Sequence, residues 1–176
     1  LSVFPRENHI PQSPFPCTFN IIGKNLFPQL PDDERTELLK KCCIEEHIEV
    51  EANTKNIMYE GVYETIKSLS KKVPFYIVSN CQSGYIELML KKTGMTSFIK
   101  DFECFGNTGH GKADNLKLLV NRDSIEKPVY IGDTQGDSDE CRKAGVPFVW
   151  AEYGFGNGVT GFVSSIKTFA ETISLI

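Results

Sequence analysis

The chain has 176 residues, of which 40% are hydrophobic and 24% charged, a composition typical of one globular domain with a real core. Its net charge is −4, and no run of Lys or Arg exceeds a pair, which argues against nucleic acid as the main partner. No apolar run approaches the ~20 residues of a membrane span, and the six cysteines show no C-x-x-C spacing. We therefore expect a cytoplasmic protein with a small-molecule partner and no membrane partner.

The first part of the chain divides into a tail and a helix. Six of the nine prolines fall in the first 31 residues, so residues 1–19 are predicted to be an irregular, Pro-rich tail. From Asp32 the sequence DDERTELLKKCCIEEHIEVEA begins with carboxylates and carries apolar residues at helical spacing, which predicts an amphipathic helix. The apolar positions are Leu38, Leu39, Cys42, Cys43 and Ile48.

After Gly61 the pattern alternates between helices and short apolar strands. Strands that alternate with helices of this length predict an α/β fold, with a parallel sheet covered on both faces. The predicted helices lie near 61–72, 84–93, 112–121 and 138–144, with a last helix carrying Phe162, Ile166, Phe169 and Ile173. The predicted strands lie at 75–78, 101–104, 129–131 and 148–151.

Chemistry-bearing residues cluster where predicted strands end. In an open parallel sheet, ligands bind at the carboxyl ends of the strands. One strand ends on Ser79 and Asn80, another ends on Gly132 and Asp133, and a Gly-rich loop leads into Lys112. A hydroxyl, a cation and carboxylates are therefore expected at one edge of the sheet.

The stretch GDTQGD places Asp133 and Asp137 around a tight turn. Two hard oxygen donors facing one point are suited to Mg²⁺. Alternatively, Asp137 caps the following helix, with Glu140 closing a capping box, while Asp133 and Asp139 face solvent. The two interpretations are compatible, and the spacing alone does not choose between them.

Lys112 follows GNTGHG, whose glycines allow a close backbone approach, and its ammonium could neutralise a phosphate. Taken alone, a lysine here is more often a surface charge, and Ser79 more often forms an ordinary turn. Cys43 and His47 have the i, i+4 spacing of a helical metal pair, but core packing is favoured for Cys43. His110 is expected to be solvated.

In order and spacing, IVSN, the loop lysine, YIGDTQGD and AGVPFVWAEYGFG resemble the later motifs of the haloacid dehalogenase superfamily, in its phosphoglycolate-phosphatase-like branch. The resemblance implies a Rossmann-like core over residues 59–176 and a small helical cap over residues 20–58. It also implies that Ser79 and Asn80 bind phosphate, that Lys112 balances charge, and that Asp133 and Asp137 hold Mg²⁺.

One motif of the family is missing. The family carries its nucleophilic aspartate on the first strand, in a DxDGT motif, and no Asp precedes Asp32 in this sequence. We therefore assign no nucleophile, and we expect a gap between the strands at 75–78 and 129–131. A preceding segment could supply the strand, the CTFNII run could replace it, or another chain could provide it.

Two functional hypotheses follow. The first is a Mg²⁺-dependent phosphatase of a small, phosphoglycolate-like phosphorylated metabolite, whose nucleophile strand is missing from this sequence. The second is a catalytically inactive binding module on the same fold. The sequence does not identify the substrate or the oligomeric state.

Overall fold

The computed structural model describes the backbone of residues 19–175 and the side chains of residues 23–175. The helices are α1 Phe19–Leu26, α2 Asp32–Ala52, α3 Val62–Leu69, α4 Tyr85–Thr93, α5 Phe105–Thr108, α6 Lys112–Arg122 and α7 Gln135–Ala144, with 3₁₀ turns at Thr96–Phe98 and Phe169–Leu175. The strands are β1 Phe75–Ser79, β2 Ile99–Cys104, β3 Tyr130–Gly132, β4 Phe148–Ala151 and β5 Ser164–Ile166. The predicted tail, 1–19, lies outside the described residues apart from Phe19.

The strands form two parallel sheets. β1 pairs with β2, and β3 pairs with β4, which pairs in turn with β5. Within residues 19–175, no strand pairs with the second edge of β1 or of β3. This confirms the predicted α/β fold with parallel strands, and the separation lies where the missing first strand was expected to leave it.

Apolar packing nevertheless unites the two sheets. One buried cluster includes Ile77 of β1 and Ile131 of β3, and a second includes Val78 of β1 and Tyr130 of β3. The Tyr130 hydroxyl also donates a hydrogen bond to the carbonyl of Val78, at 3.1 Å. The ends of β1 and β3 are therefore held in one core, although no backbone ladder joins them.

The predicted last helix is wrong. The chain forms β5 at Ser164–Ile166 and a 3₁₀ turn afterwards, because β5 completes the sheet beside β4. The four residues of the supposed apolar stripe do not share one environment: Ile166 and Phe169 are buried, whereas Phe162 is 40% and Ile173 is 54% exposed. Their helical spacing was a coincidence of a strand followed by a turn.

The helix predicted from Asp32 is present, but its apolar side is mostly open within the described part of the chain. Leu39 is 4% exposed, whereas Ile44 and Ile48 are 59% and 53% exposed. Cys43 is half-buried, which only partly bears out its expected core position. Where α2 does pack, its partners are α1 and α4.

The described part of the CTFNII run is helical, since Phe19 begins α1. It therefore does not provide a substitute strand, while Cys17 and Thr18 lie outside the described residues. α1 approaches α2 closely at Gly23, where a Cβ would lie 2.4 Å from a Leu39 methyl carbon. Among the described residues, none of the helices combines the length and the hydropathy needed to cross a membrane.

Candidate active site

The site is built around a buried ion pair at the carboxyl ends of the strands. Lys112, the first residue of α6, donates from Nζ to Oδ1 of Asp137 in α7. The two side chains are only 13% and 8% exposed. The structure thus brings together two residues that lie 25 positions apart in the sequence.

Asp137 is held in place by the start of its own helix. Thr134 is the N-cap residue and forms a capping box with Asp137. Oδ2 of Asp137 accepts hydrogen bonds from the Asp133 amide at 3.3 Å, the Thr134 amide at 3.1 Å and the Thr134 hydroxyl at 2.8 Å. With Lys112 on Oδ1, this carboxylate accepts from four donors.

The charges at this pair are strongly coupled. Burial by itself would raise the pKa of Asp137, but Lys112 and the Thr134 donors lower that pKa to about 2. Burial would lower the pKa of Lys112, yet the Asp137 charge and Tyr130 hold that pKa above its ordinary value. Both groups therefore carry their charges across the physiological range.

Tyr130 packs beside the lysine. Nζ of Lys112 lies 5.5 Å from the centre of the Tyr130 ring, and burial is the main reason that the pKa of this phenol is raised. The neutral ring therefore faces the ammonium with its electron-rich face, which is a favourable contact. Since the Tyr130 hydroxyl reaches Val78, the same side chain links the lysine to the end of β1.

Asp133 follows β3 and is 6% exposed, so the alternative in which it faces solvent is wrong. Its Oδ2 accepts a hydrogen bond from the Phe155 amide at 2.9 Å. The glycines of the YGFG loop make this approach possible. A Cβ at Gly154 would lie 2.2 Å from the Asp133 Cβ, and a Cβ at Gly156 would lie 2.0 Å from the Asp133 carbonyl oxygen.

Glu140 does not take part in capping α7, which corrects that part of the capping interpretation. Its Oε2 accepts a hydrogen bond from the Ala113 amide at 3.0 Å, and its Oε1 pairs with Lys143 at 2.6 Å. Ala113 is the second residue of α6, so Glu140 fixes the helix start that carries Lys112. This role depends on a contact between two helices and could not be found from spacing.

The loop before Lys112 is held by Asn115, which is fully buried. Its Oδ1 accepts from the Thr108 hydroxyl at 2.8 Å, and its Nδ2 donates to the His110 carbonyl at 3.1 Å. His110 itself is exposed, as expected. Gly106 brings this loop against the turn after β1, because a Cβ there would lie 2.0 Å from the Ser83 amide nitrogen.

Ser79 and Asn80 lie at the end of β1, both half-buried. The Ser79 hydroxyl oxygen accepts a hydrogen bond from the Cys81 amide at 3.2 Å. In the described part of the chain, no hydrogen bond joins either residue to Lys112, Asp133 or Asp137. They occupy the expected strand end, on the other side of the gap from the ion pair.

The donor set fits one magnesium ion only in part. Among residues 23–175, no group of three or more His, Cys, Asp or Glu side chains could hold a metal. Three donors bind Oδ2 of Asp137 and Lys112 binds Oδ1, so neither oxygen of this carboxylate is free of a donor. If a magnesium ion binds here, Asp133 would be its direct ligand, since an ion that keeps several waters needs few protein ligands.

The sequence matches the family model described as haloacid dehalogenase-like hydrolase over residues 6–151. The chain therefore belongs to the haloacid dehalogenase-like hydrolases. A search of curated protein sequences gave no match.

Solved structures share the fold at low sequence identity. A haloacid dehalogenase-like hydrolase candidate from Bacteroides fragilis aligns with a TM-score of 0.78 and 19% identity, over 89% of this chain and 78% of that one. A candidate phosphoglycolate phosphatase from Lactobacillus plantarum aligns with a TM-score of 0.77 and 14% identity, over 93% and 79%. A hydrolase candidate of this family from Bacillus subtilis, bound to magnesium, aligns with a TM-score of 0.63 and 17% identity, over 89% and 68%.

Proposed function

We propose that this chain provides most of a Mg²⁺-dependent phosphatase that acts on a small phosphorylated metabolite of the phosphoglycolate type. The observation that carries the proposal is the buried Lys112–Asp137 pair beside Asp133, at the carboxyl ends of parallel strands. Membership of the hydrolase family and the likeness to phosphoglycolate phosphatase candidates support the same assignment.

Each residue has a distinct part in this proposal. Asp133 holds the magnesium ion directly, and Asp137 keeps Lys112 charged and oriented towards the site. Ser79 and Asn80, at the end of β1, bind phosphoryl oxygens through a hydroxyl and amide groups. The ion supplies charge neutralisation to the phosphoryl group.

The nucleophile is the part that this sequence does not supply. No Asp precedes Asp32, and Asp32 itself begins α2, whose first turn carries Asp32, Asp33 and Glu34. A strand ending in an aspartate and lying between β1 and β3 would pair with both unpaired edges and place its carboxylate between Ser79 and Asp133. We propose that hydrolysis requires such a strand.

The test compares this chain with a version that carries a DxDGT strand ahead of it. We expect the completed protein to release phosphate from p-nitrophenyl phosphate and from 2-phosphoglycolate only when Mg²⁺ is present. Asp133→Asn should abolish this release, and Asp139→Asn should not, since Asp139 is half-buried and its partners among the described residues, Arg142 and Gln135, both lie in α7. A folded, completed protein that stays inert would refute the proposal.

A binding module without catalysis is the second candidate, and the missing nucleophile favours it. In that case the folded chain should bind Mg²⁺ and inorganic phosphate in calorimetry, and the completed version should bind them without turnover. A chain that binds neither would remove this candidate.

A reducing compartment such as the cytoplasm agrees with the free cysteines among the described residues: Cys42, Cys43, Cys81, Cys104 and Cys141.

A further inference from the structure

Two cysteines meet directly behind the turn that carries Ser79. Cys104 is the last residue of β2 and is fully buried, and its Cα partner in the β1–β2 ladder is Ser79. Cys81, two residues beyond Ser79, is half-buried, and the neighbouring Cys104 thiol is one of the groups that raise the pKa of the Cys81 thiol. The Cys104 thiol also lies 3.7 Å from the Gln82 carbonyl oxygen.

A backbone hydrogen bond holds the segments that carry the two thiols together. The Cys81 carbonyl accepts a hydrogen bond from the Gly106 amide at 3.0 Å, so the turn after β1 and the end of β2 already run side by side. A disulfide needs Cα atoms about 4.4–6.8 Å apart, so the proposal requires this turn to bring Cys81 within that range of Cys104. Neither thiol has a part in the proposed hydrolysis.

We propose that Cys81 and Cys104 are an oxidation site that closes to a disulfide under peroxide and so restrains the Ser79 turn. Cys81 is the more accessible thiol and reacts first. Its sulfur attacks the O–O bond of hydrogen peroxide, which forms a sulfenic acid and releases water. The Cys104 thiol then attacks the sulfenic sulfur, which forms the S–S bond and releases a second water.

The link would act on the phosphate end of the site, and this consequence rests on the proposed function. Bond formation shortens the contact between the sulfurs to about 2.05 Å. Because the Cys81 amide donates to the Ser79 hydroxyl oxygen, that movement changes the position of the donor that orients Ser79. Reduction by a dithiol returns both thiols and frees the turn.

Burial sets the speed of the reaction. Burial raises the pKa of Cys81 to about 12, so only a small fraction of this thiol is ionised near neutral pH. Since the thiolate is the reacting species, we expect slow oxidation at pH 7 and a rate that rises roughly tenfold per pH unit up to pH 9. Short exposure to oxidant in a reducing compartment would therefore leave the pair open.

The experiment treats the whole chain with hydrogen peroxide, blocks remaining thiols and maps tryptic peptides by mass spectrometry. Cys81 is the only cysteine in peptide 73–91, and Cys104 is the only one in peptide 101–112. We expect these two peptides to become linked, with the yield increasing from pH 7 to pH 9. The peptide of the buried Cys141 should stay unlinked and serves as an internal control.

A second measurement follows the turn itself. Amide hydrogen exchange over residues 79–84 should slow in the oxidised protein and recover with dithiothreitol, whereas Cys81→Ala should show no such response. Oxidation that stops at Cys81, links mainly to Cys42 or Cys43, or leaves the exchange unchanged would overturn the proposal. If the reduced protein binds no phosphate, that result counts against the phosphatase assignment, while the cross-link and the exchange still decide the disulfide.

Discussion

Adding a methyl group at Gly154 should disturb the site through a steric clash with Asp133. In Gly154→Ala the new Cβ would lie 2.2 Å from the Asp133 Cβ and 2.5 Å from its Oδ2. Ordinary contacts begin at 3.4 Å, so Asp133 or the YGFG loop must move by roughly 1 Å. Asp133 is buried and the Phe155 amide of the loop is hydrogen-bonded to it, and such overpacking costs about 1–3 kcal/mol.

The assay has two readouts. Urea denaturation should show the free energy of unfolding of Gly154→Ala lowered by about 1–3 kcal/mol. If Asp133 holds Mg²⁺ as proposed, calorimetric titration with Mg²⁺ should show weaker binding, because the methyl group displaces that carboxylate.

Gly136→Ala is the matched control. Its Cβ would lie 3.6 Å from the Thr134 hydroxyl oxygen, an ordinary contact, and Gly136 lies inside α7. Ala should therefore stabilise the helix by up to about 1 kcal/mol and leave Mg²⁺ binding unchanged. If Gly154→Ala has the same free energy of unfolding and the same Mg²⁺ affinity as the wild type, the loop does not approach Asp133 as closely as described. That result would refute the reasoning.

Three further predictions concern the ion pair and its neighbour. Lys112→Met leaves the Asp137 carboxylate buried without its cation and should lower the free energy of unfolding, measured in urea, by about 3–5 kcal/mol. Adding Asp137→Asn should recover part of this loss, and a double mutant whose two losses simply add would contradict the prediction. The folded-state pKa of Asp137 is about 2, below its unfolded value of 3.8, so this group's stabilisation is present above pH 4 and is lost as the pH falls towards 2. Acid titration of the free energy of unfolding should show this loss in the wild type and a reduced loss in Asp137→Asn. Tyr130→Phe removes the donor to the Val78 carbonyl and should lower the free energy of unfolding by about 1–2 kcal/mol. This loss should be smaller than that of Lys112→Met, because the ring stays beside Lys112. An equally large loss would show that the hydroxyl, not the ring, supports the lysine.

Most of the helices and strands could be predicted from the sequence because their sequence signals are local. β1 and β4 are short apolar runs between turn residues, and both were placed to within one residue. The C-terminal segment was not placed correctly. Apolar residues spaced three and four positions apart are compatible with a helix, but also with a strand followed by a turn. Only the pairing of Val149 with Ser164 decides the matter, and that contact spans 15 positions.

The site was predictable in its residue types and less so in its contacts. Parallel strands end at one edge, so the positions of Ser79, Lys112 and Asp133 followed from the order of elements. The role of Glu140 did not follow, because it depends on how α7 packs against α6. The predicted capping box of Asp137 with Glu140 is absent, because Thr134 is the N-cap of α7 and Asp137 closes the box three residues later.

In the stretch GDTQGD, the spacing of Asp133 and Asp137 alone could not show which carboxylate caps the helix and which is available to a metal. Asp137 lies on the first turn of α7 and faces back to the strand end, where two amides, a hydroxyl and an ammonium occupy its oxygens. It therefore performs the capping role and orients Lys112. Asp133, one residue beyond the strand, needs no part in the cap, and the YGFG loop instead holds it in place through the Phe155 amide. Under the proposed function, Asp133 is therefore the carboxylate of this stretch that would hold the metal, while Asp137 caps the helix.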